Sequence, residues 1–257
     1  MRRLYPIFVI GMVAITMFSF MYKPKPTIYI IGDSTVRNSN KEFWGWGSLL
    51  GEFLDTTKVR IDNHAMAGRS TRTFVKEGRW RKVDSLMKKG DYLLIQFGHN
   101  EGSKPDTSKA GYRGVLRGTG KDSVILDWGN NTREVVRTYG ENLRRMVQRA
   151  KEKGVNPVLL SMIPRNQWDE HGKVKRAKND FGLWAKQIAE EENIAFVDLN
   201  EITAVKYDKL GPDRVKMNYF PGDHTHTNYA GAKENALSVV TGLKDIKHPI
   251  RKLIKKP

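Results

Sequence analysis

Five short, mainly apolar runs recur along the chain, and each contains β-branched or aromatic residues. Such residues favour β-structure, and apolar runs of this length are typical of parallel strands that are covered on both faces. The pattern therefore predicts five buried strands: Ile28–Ile31, Val59–Ile61, Tyr92–Phe97, Val158–Met162 and Ala195–Val197.

The segments between these runs have helical character. In the longest, Val135–Lys153, apolar residues recur at helical spacing among arginines and lysines, and Gly154 follows as a stop signal. Strands that alternate with helices require right-handed crossovers, which stack helices on both faces of the sheet. We therefore expect a three-layer α/β/α sandwich with a five-stranded parallel sheet and these helices: Ser48–Leu54, Trp80–Lys88, Val135–Lys153, Ala177–Glu192 and Tyr229 to about Leu243.

The N-terminal segment has a different composition. Arg2 and Arg3 precede residues 4–22, which are uncharged and largely apolar, and Lys23 closes the stretch. As a helix this stretch would extend about 28 Å, close to the thickness of a bilayer core. We interpret residues 1–26 as a signal peptide or a membrane anchor with a short KPKP linker, so the protein is expected to be exported. Both alternatives stay open, because no clear cleavage motif precedes Lys23.

A stretch rich in Gly, Lys, Asp and Thr, at about residues 101–133, also departs from the alternation of strands and helices. It follows the third predicted strand directly. A connection of this length in a compact domain is either a surface insertion or a functional element such as an active-site cover. We therefore assign residues 27–257 to one domain with this insertion.

Net charge and cysteine content limit the classes of partner and of catalytic site that this protein can have. The 257 residues include 45 Lys and Arg against 28 Asp and Glu, which gives a formal net charge of +17. Such a balance suits a polyanion: nucleic acid, an anionic membrane surface or an acidic polysaccharide. No nucleic-acid-binding signature is present, so no nucleic-acid partner is expected. The absence of cysteine excludes disulfides, zinc thiolates and a cysteine nucleophile.

Candidate chemistry begins at "IYIIGDSTV", where the first strand ends and Ser34 follows. One interpretation is a β-to-α turn in which Asp33 or Ser34 caps the next helix. The other makes Ser34 a nucleophile, because open α/β sheets bind their ligands at the carboxyl ends of the strands. This stretch alone does not decide between them.

Partners for a serine nucleophile stand just before the last predicted helix and at two other predicted strand ends. Asp223 and His226 are three residues apart, so the carboxylate can orient the imidazole as a base, while His224 would point elsewhere. Gly68 follows the second strand and offers an unobstructed N–H, and Asn100 follows the third with a side-chain amide. Together these residues supply a nucleophile, a base, an orienting acid and oxyanion donors.

In order, GDS at 32–34, "NHAMAGRSTRTF", "QFGHNE" and "DHTHTNYAGA" resemble the four blocks of the SGNH, or GDSL, hydrolases, in particular the rhamnogalacturonan acetylesterases. The resemblance implies a flavodoxin-like sheet, a serine mechanism with no metal or cofactor, and removal of acetyl groups from pectin's rhamnogalacturonan. It implies that Ser34 is the nucleophile, His226 the base and Asp223 its orienting acid. The implied oxyanion donors are the Ser34 and Gly68 N–H groups and the Asn100 side chain. Glu101 departs from the pattern, which often has Asp there.

Several residues near the predicted rim are candidates for binding an acetylated acidic polysaccharide. Trp44 and Trp46 could stack on sugar or pack in the core at the start of the first helix. The basic candidates for the sugar carboxylates, each of which could instead form a surface salt bridge, are Arg37, Arg69, Arg72, Arg113 and Arg117.

Three alternatives remain at this point: an SGNH esterase acting on another acetylated glycan such as xylan, a metal-dependent phosphoesterase, and a carbohydrate-binding protein without catalysis. The metal-dependent alternative lacks the Asp-x-His start of that site, since Thr35 stands two residues after Asp33.

Overall fold

The computed structural model describes residues 24–38 and 42–255. The predicted signal peptide or anchor therefore lies almost entirely outside the described residues. Within these ranges, no helix combines the length and the apolarity needed to cross a bilayer.

All five predicted strands are present in the described part of the chain, and they form one parallel sheet. Their bounds are Thr27–Gly32 (β1), Arg60–Asn63 (β2), Tyr92–Gln96 (β3), Asn156–Leu160 (β6) and Ala195–Val197 (β7). The strand order is β2-β1-β3-β6-β7, and β1 and β3 pair with Ile30 opposite Leu94. This is the doubly wound, flavodoxin-like order, and the predicted fold class is confirmed.

Helices cover both faces of the sheet. In the described ranges they are Thr71–Lys76 (α1), Arg79–Leu86 (α2), Tyr139–Glu152 (α3), Phe181–Glu191 (α4), Leu199–Leu210 (α5), Pro212–Tyr219 (α6) and Tyr229–Asp245 (α7). Alternate residues of β1 face opposite layers: Ile28 and Ile30 pack with α7, whereas Tyr29 and Ile31 pack with α1 to α4. Both faces are therefore buried, which explains the apolar character of this strand.

The predicted helices differ from the structure in three places, and three observed helices, Thr71–Lys76, Leu199–Leu210 and Pro212–Tyr219, are not among those predicted. Ala177–Glu192 begins too early, because α4 starts at Phe181. Ser48–Leu54 is not an α-helix but overlaps two short 3₁₀ turns, Trp46–Ser48 and Leu50–Phe53. Val135–Lys153 begins too early, because α3 starts at Tyr139 after the Thr138 hydroxyl caps it by accepting from the Glu141 N–H. The preceding residues form a strand, so an apolar pattern that fits a helix belongs here to two elements.

The insertion after β3 is ordered into a 3₁₀ turn, Gly111–Arg113, and an antiparallel hairpin of Ser123–Asp127 (β4) and Arg133–Arg137 (β5). Buried Arg72 of α1 fastens the hairpin, since its guanidinium makes two hydrogen bonds, of 2.8 and 2.9 Å, to the Glu134 carboxylate. A charge this deeply buried requires a partner, and Glu134 provides it.

Candidate active site

Ser34 lies in a tight turn at the carboxyl end of β1, and the turn is built by Asp33. The Asp33 side chain is fully buried, and its Oδ1 accepts from the N–H and the hydroxyl of Thr35, at 2.9 and 2.7 Å. The Asp33 carbonyl accepts from the N–H groups of Val36 and Arg37. The next helical element in the described residues begins at Trp46, so Asp33 closes the turn itself and caps no helix here. The Ser34 hydroxyl is left for another partner.

That partner is His226, which follows α6 in the loop that leads to α7. Its Nε2 lies 2.8 Å from Ser34 Oγ, and its Nδ1 lies 2.6 Å from Asp223 Oδ2. A carboxylate only accepts, so the Nδ1 proton points at Asp223 and Nε2 is free to accept from the serine. The other Asp223 oxygen accepts from the N–H groups of Thr225 and His226, which fixes the carboxylate.

The environment keeps Asp223 ionised. Partial burial raises its pKa, but the hydrogen bonds from the His226 ring, the His226 N–H and the Thr225 N–H outweigh it, so the pKa lies below the ordinary value. An imidazolium that forms on His226 therefore has a negative charge beside it.

Candidate oxyanion donors converge on the same turn. The loop after β2 is joined to β1 by the Met66 N–H, which donates to the Gly32 carbonyl at 3.0 Å. Gly68, in this loop, has φ of +75°, a left-handed conformation that glycine adopts without strain. The Asn100 Nδ2 donates to the Arg69 carbonyl at 3.1 Å, so Asn100 lies next to Gly68. In the described part of the chain, the N–H groups of Ser34 and Gly68 have no protein acceptor.

Glu101 joins the two donor-bearing segments. Its carboxyl is buried, and its oxygens accept from the Thr71 N–H at 2.8 Å and the Asn100 N–H at 2.9 Å. Burial, helped by the charge of Asp33, raises the pKa of Glu101 to about 8, while the two N–H groups oppose the rise. The residue that departs from the family pattern thus acts as a structural link between α1 and the end of β3.

A buried hydrogen-bond chain supports the nucleophile turn from below. The Trp46 indole donates to Gln96 Oε1 at 2.7 Å, the Gln96 amide donates to the Thr35 hydroxyl at 2.9 Å, and Thr35 donates to Asp33. Trp46 is fully buried, so the expectation that it stacks on sugar is wrong. The turn that carries Trp46 docks closely because residue 45 is glycine: a Cβ there would lie 2.2 Å from the Val36 carbonyl carbon.

Two aromatic residues, Phe43 and Trp44, lie just before the turn that carries Trp46 and border the site. Trp44 is 39% exposed, stacks edge-on against Tyr229 and pairs its backbone with Thr227, the residue after the catalytic candidate histidine. Phe43, which the sequence analysis missed, packs on the His226 ring with centroids 5.2 Å apart. Trp44 remains a candidate for contact with sugar.

The arginines that were predicted to bind the substrate's carboxylates lie in different environments. Arg72 is buried and paired with Glu134, so it is unavailable to substrate, and that expectation is wrong. Arg69 is paired with Glu77 at 2.9 Å, and the Arg117 guanidinium lies over the rings of Phe181 and Trp184. Arg37 is exposed and donates to the Asn63 carbonyl.

Arg113 and a residue that the sequence analysis missed, Arg165, lie against the end of β3. Arg113 donates to Asn100 Oδ1 at 2.8 Å, and Arg165 donates to the His99 carbonyl at 3.0 Å. Arg165 follows β6, so the strand-end argument that identified Ser34, Gly68 and Asn100 applies to it as well. Burial, with Arg165 nearby, lowers the pKa of His99 to about 4, so this ring is neutral.

No group of three or more His, Asp or Glu side chains in residues 24–38 and 42–255 is arranged to hold a metal ion. What the site does contain is a hydroxyl on an imidazole, a carboxylate behind that imidazole, and N–H donors beside the hydroxyl. This arrangement can activate the serine for attack on a carbonyl and stabilise the oxyanion that results.

Comparisons with known proteins agree with this chemistry. Residues 30–234 match the GDSL-like Lipase/Acylhydrolase family. A rhamnogalacturonan acetylesterase of Emericella nidulans is 34% identical over 206 residues, which is 80% of each chain. The rhamnogalacturonan acetylesterase RhgT of Bacillus subtilis is 31% identical over 247 residues, 90% of this chain and 95% of that protein.

Solved structures share the fold. The protein YxiM of Bacillus subtilis superposes with a TM-score of 0.69 at 26% identity, covering 86% of this chain and 56% of that one. An acetylxylan esterase, Axe2 of Geobacillus stearothermophilus, gives a TM-score of 0.57 at 20% identity over 84% of this chain and 93% of its own. From its strand order, its serine–histidine–aspartate geometry and its sequence match over residues 30–234, the chain belongs to the GDSL-like lipase/acylhydrolase family.

Proposed function

We propose that the protein is a serine esterase that removes acetyl groups from an acidic cell-wall polysaccharide, namely acetylated rhamnogalacturonan. The observation that carries the proposal is the hydrogen-bonded series Ser34–His226–Asp223, beside N–H groups of Ser34 and Gly68 that have no acceptor among the described residues. The similarity to rhamnogalacturonan acetylesterases over most of the chain supports this choice of substrate.

The residues have these roles in the proposed reaction. Ser34 Oγ attacks the acetyl carbonyl carbon while His226 Nε2 takes its proton, and Asp223 stabilises the imidazolium. The N–H groups of Ser34 and Gly68 and the Asn100 amide hold the oxyanion. Collapse of this intermediate breaks the ester C–O bond, and the sugar alkoxide leaves with the proton from His226. Water then attacks the carbonyl carbon of the acetyl-serine while the same histidine takes its proton. The bond from that carbon to Ser34 Oγ breaks, acetic acid is released and ionises to acetate, and Ser34 Oγ regains the proton from His226.

Charge supports an acidic substrate. The net charge of +17 attracts a polyanion, and the guanidinium of Arg165 lies beside His99 at the end of β3. Galacturonate carboxylates recur along rhamnogalacturonan, whereas a neutral acetylated xylan backbone lacks them. We therefore expect KM for the acidic substrate to rise with salt much more than KM for the neutral one.

The test is acetate release from acetylated rhamnogalacturonan and acetylated xylan by the wild type and by Ser34→Ala. We expect turnover of the acidic substrate, its loss in Ser34→Ala with an unchanged circular dichroism spectrum, and loss of covalent labelling by an organophosphonate. Undiminished turnover in Ser34→Ala contradicts the serine mechanism. Acetate release from acetylated xylan that equals or exceeds release from acetylated rhamnogalacturonan contradicts the assignment of rhamnogalacturonan as the substrate.

We also propose that the protein is exported, on the basis of the basic and apolar composition of residues 2–22. Fractionation of the producing cells, followed by N-terminal sequencing of the recovered enzyme, tests this. Enzyme found only in the cytoplasm with an intact N-terminus contradicts export, whereas a membrane fraction with residues 1–26 retained indicates an anchor.

A further inference from the structure

Arg113 reaches the oxyanion site from the insertion after β3. It is exposed, it belongs to the 3₁₀ turn Gly111–Arg113, and its Nη1 donates to Asn100 Oδ1 at 2.8 Å. A Cβ built on Gly68 would lie 3.9 Å from the same Nη1. One guanidinium therefore adjoins two of the three residues that supply the oxyanion donors.

The contacts of Asn100 fix which way its amide points. Arg113 only donates, so it must face the amide oxygen, and the Arg69 carbonyl only accepts, so it must face the amide nitrogen. A flipped amide would place nitrogen against guanidinium and oxygen against carbonyl. Because Nδ2 carries two hydrogens and Arg69 takes one, the second remains for the oxyanion.

Buried contacts fasten the turn that carries Arg113. The Arg72 Nη1 donates to the carbonyls of Gly111 and Gly114, at 2.9 and 3.1 Å, on either side of Arg113. The same guanidinium binds Glu134 of the hairpin. Glu134 also accepts from Lys76 Nζ at 2.8 Å and from the Trp128 indole at 2.7 Å. The hairpin, α1 and the turn are thus one connected unit.

We propose that Arg113 is a positioning residue for the esterase reaction: it holds the Asn100 amide with an N–H toward the oxyanion, and its charge strengthens that donor. The inference rests on the proposed function only in taking Asn100 as an oxyanion donor in ester hydrolysis. It gives the insertion a role in catalysis. The competing role for Arg113 is direct binding of a substrate carboxylate.

A small neutral ester separates these roles, because 4-nitrophenyl acetate has no carboxylate to bind. Loss of an oxyanion donor typically lowers kcat by about 10²–10³-fold. Loss of a residue that orients the donor should cost less, so we expect Arg113→Met to lower kcat on this ester by about tenfold with KM nearly unchanged. Arg113→Lys, which keeps the charge, should recover part of the loss. Arg133→Met removes an exposed arginine at the start of β5 and serves as the matched control.

A double-mutant cycle tests whether Arg113 acts through Asn100. In an Asn100→Ala background, Arg113→Met should change kcat by less than about twofold. An equal loss of kcat in both backgrounds overturns the proposal, as does an unchanged kcat on the neutral ester with a raised KM for rhamnogalacturonan. If the wild type hydrolyses the neutral ester but not acetylated rhamnogalacturonan, and the cycle shows coupling, the substrate assignment fails and the role of Arg113 stands.

Discussion

Gln96 supports the nucleophile turn from inside the core, and its replacement tests that role. Its side chain is fully buried; it accepts from the Trp46 indole at 2.7 Å and donates to the Thr35 hydroxyl at 2.9 Å. Gln96→Leu keeps a side chain of similar size but removes both hydrogen bonds. The Trp46 N–H then has no acceptor, and the Thr35 hydroxyl, which still donates to Asp33, loses its donor.

The magnitude follows from these two losses. A buried donor left without a partner costs about 1–3 kcal/mol, and loss of a neutral hydrogen bond costs about 1 kcal/mol. We therefore expect Gln96→Leu to lower the free energy of unfolding by about 2–4 kcal/mol, a large share of the roughly 5–15 kcal/mol of a typical domain. Because Thr35 adjoins Ser34, kcat should fall as well.

Urea denaturation followed by circular dichroism measures the first effect, and turnover of 4-nitrophenyl acetate measures the second. Gln187→Leu, on the exposed side of α4, is the matched control and should change stability by less than about 0.5 kcal/mol. Trp46→Phe in the Gln96→Leu background should cost at least 1 kcal/mol less than in the wild type, since the orphaned donor is then removed. A Gln96→Leu effect below 0.5 kcal/mol, or strict additivity in the double variant, refutes this reasoning.

Three further predictions concern the site and the hairpin. His226→Ala should abolish acetate release while His224→Ala retains most of it; the opposite pattern would assign the base to His224. Asp223→Asn should lower kcat by about 10³–10⁴-fold with little change in urea midpoint, because it removes the charge behind the imidazole; a change in stability alone would argue against this role. Partial burial raises the pKa of Glu134, but the hydrogen bonds from Arg72, Lys76 and Trp128 outweigh it and lower the pKa from 4.5 to about 2. Glu134 therefore stabilises the fold fully above about pH 4.5, by about 3 kcal/mol at most, and this contribution is lost as pH falls toward 2. Unfolding measurements should show that the difference between wild type and Glu134→Gln shrinks over that range; a difference independent of pH contradicts the ion-pair account.

The sequence by itself determined the parallel sheet and the set of residues that could act together in catalysis. Each strand was identified because a buried strand must be apolar over several residues, and this requirement is local. Once the strands are parallel, their carboxyl ends share one edge, so residues that directly follow strands must approach one another. For this reason Ser34, Gly68 and Asn100 could be grouped without coordinates, and the Asp223–His226 spacing could be recognised as a pair.

Tertiary structure decided which similar residues face the core and which face the site. Trp44 and Trp46 are two residues apart with similar neighbours, yet one is exposed and the other buried. The 3₁₀ turn that carries Trp46 packs against Val36, and the Gln96 side-chain oxygen accepts from the Trp46 indole N–H. Arg72 and Arg113 both lie in segments that connect a strand to the next element. Arg72 is nevertheless buried, because its guanidinium pairs with Glu134, 62 positions later in the chain.

The β4–β5 hairpin also depends on partners that are distant in sequence. Val135 fits a helical pattern with the residues that follow it, but its backbone pairs with Ile125 and belongs to β5. Burial at the strands is specified by neighbours in sequence, whereas the direction of a single tryptophan, arginine or valine depends on partners distant in sequence. Only the folded chain brings those partners into contact.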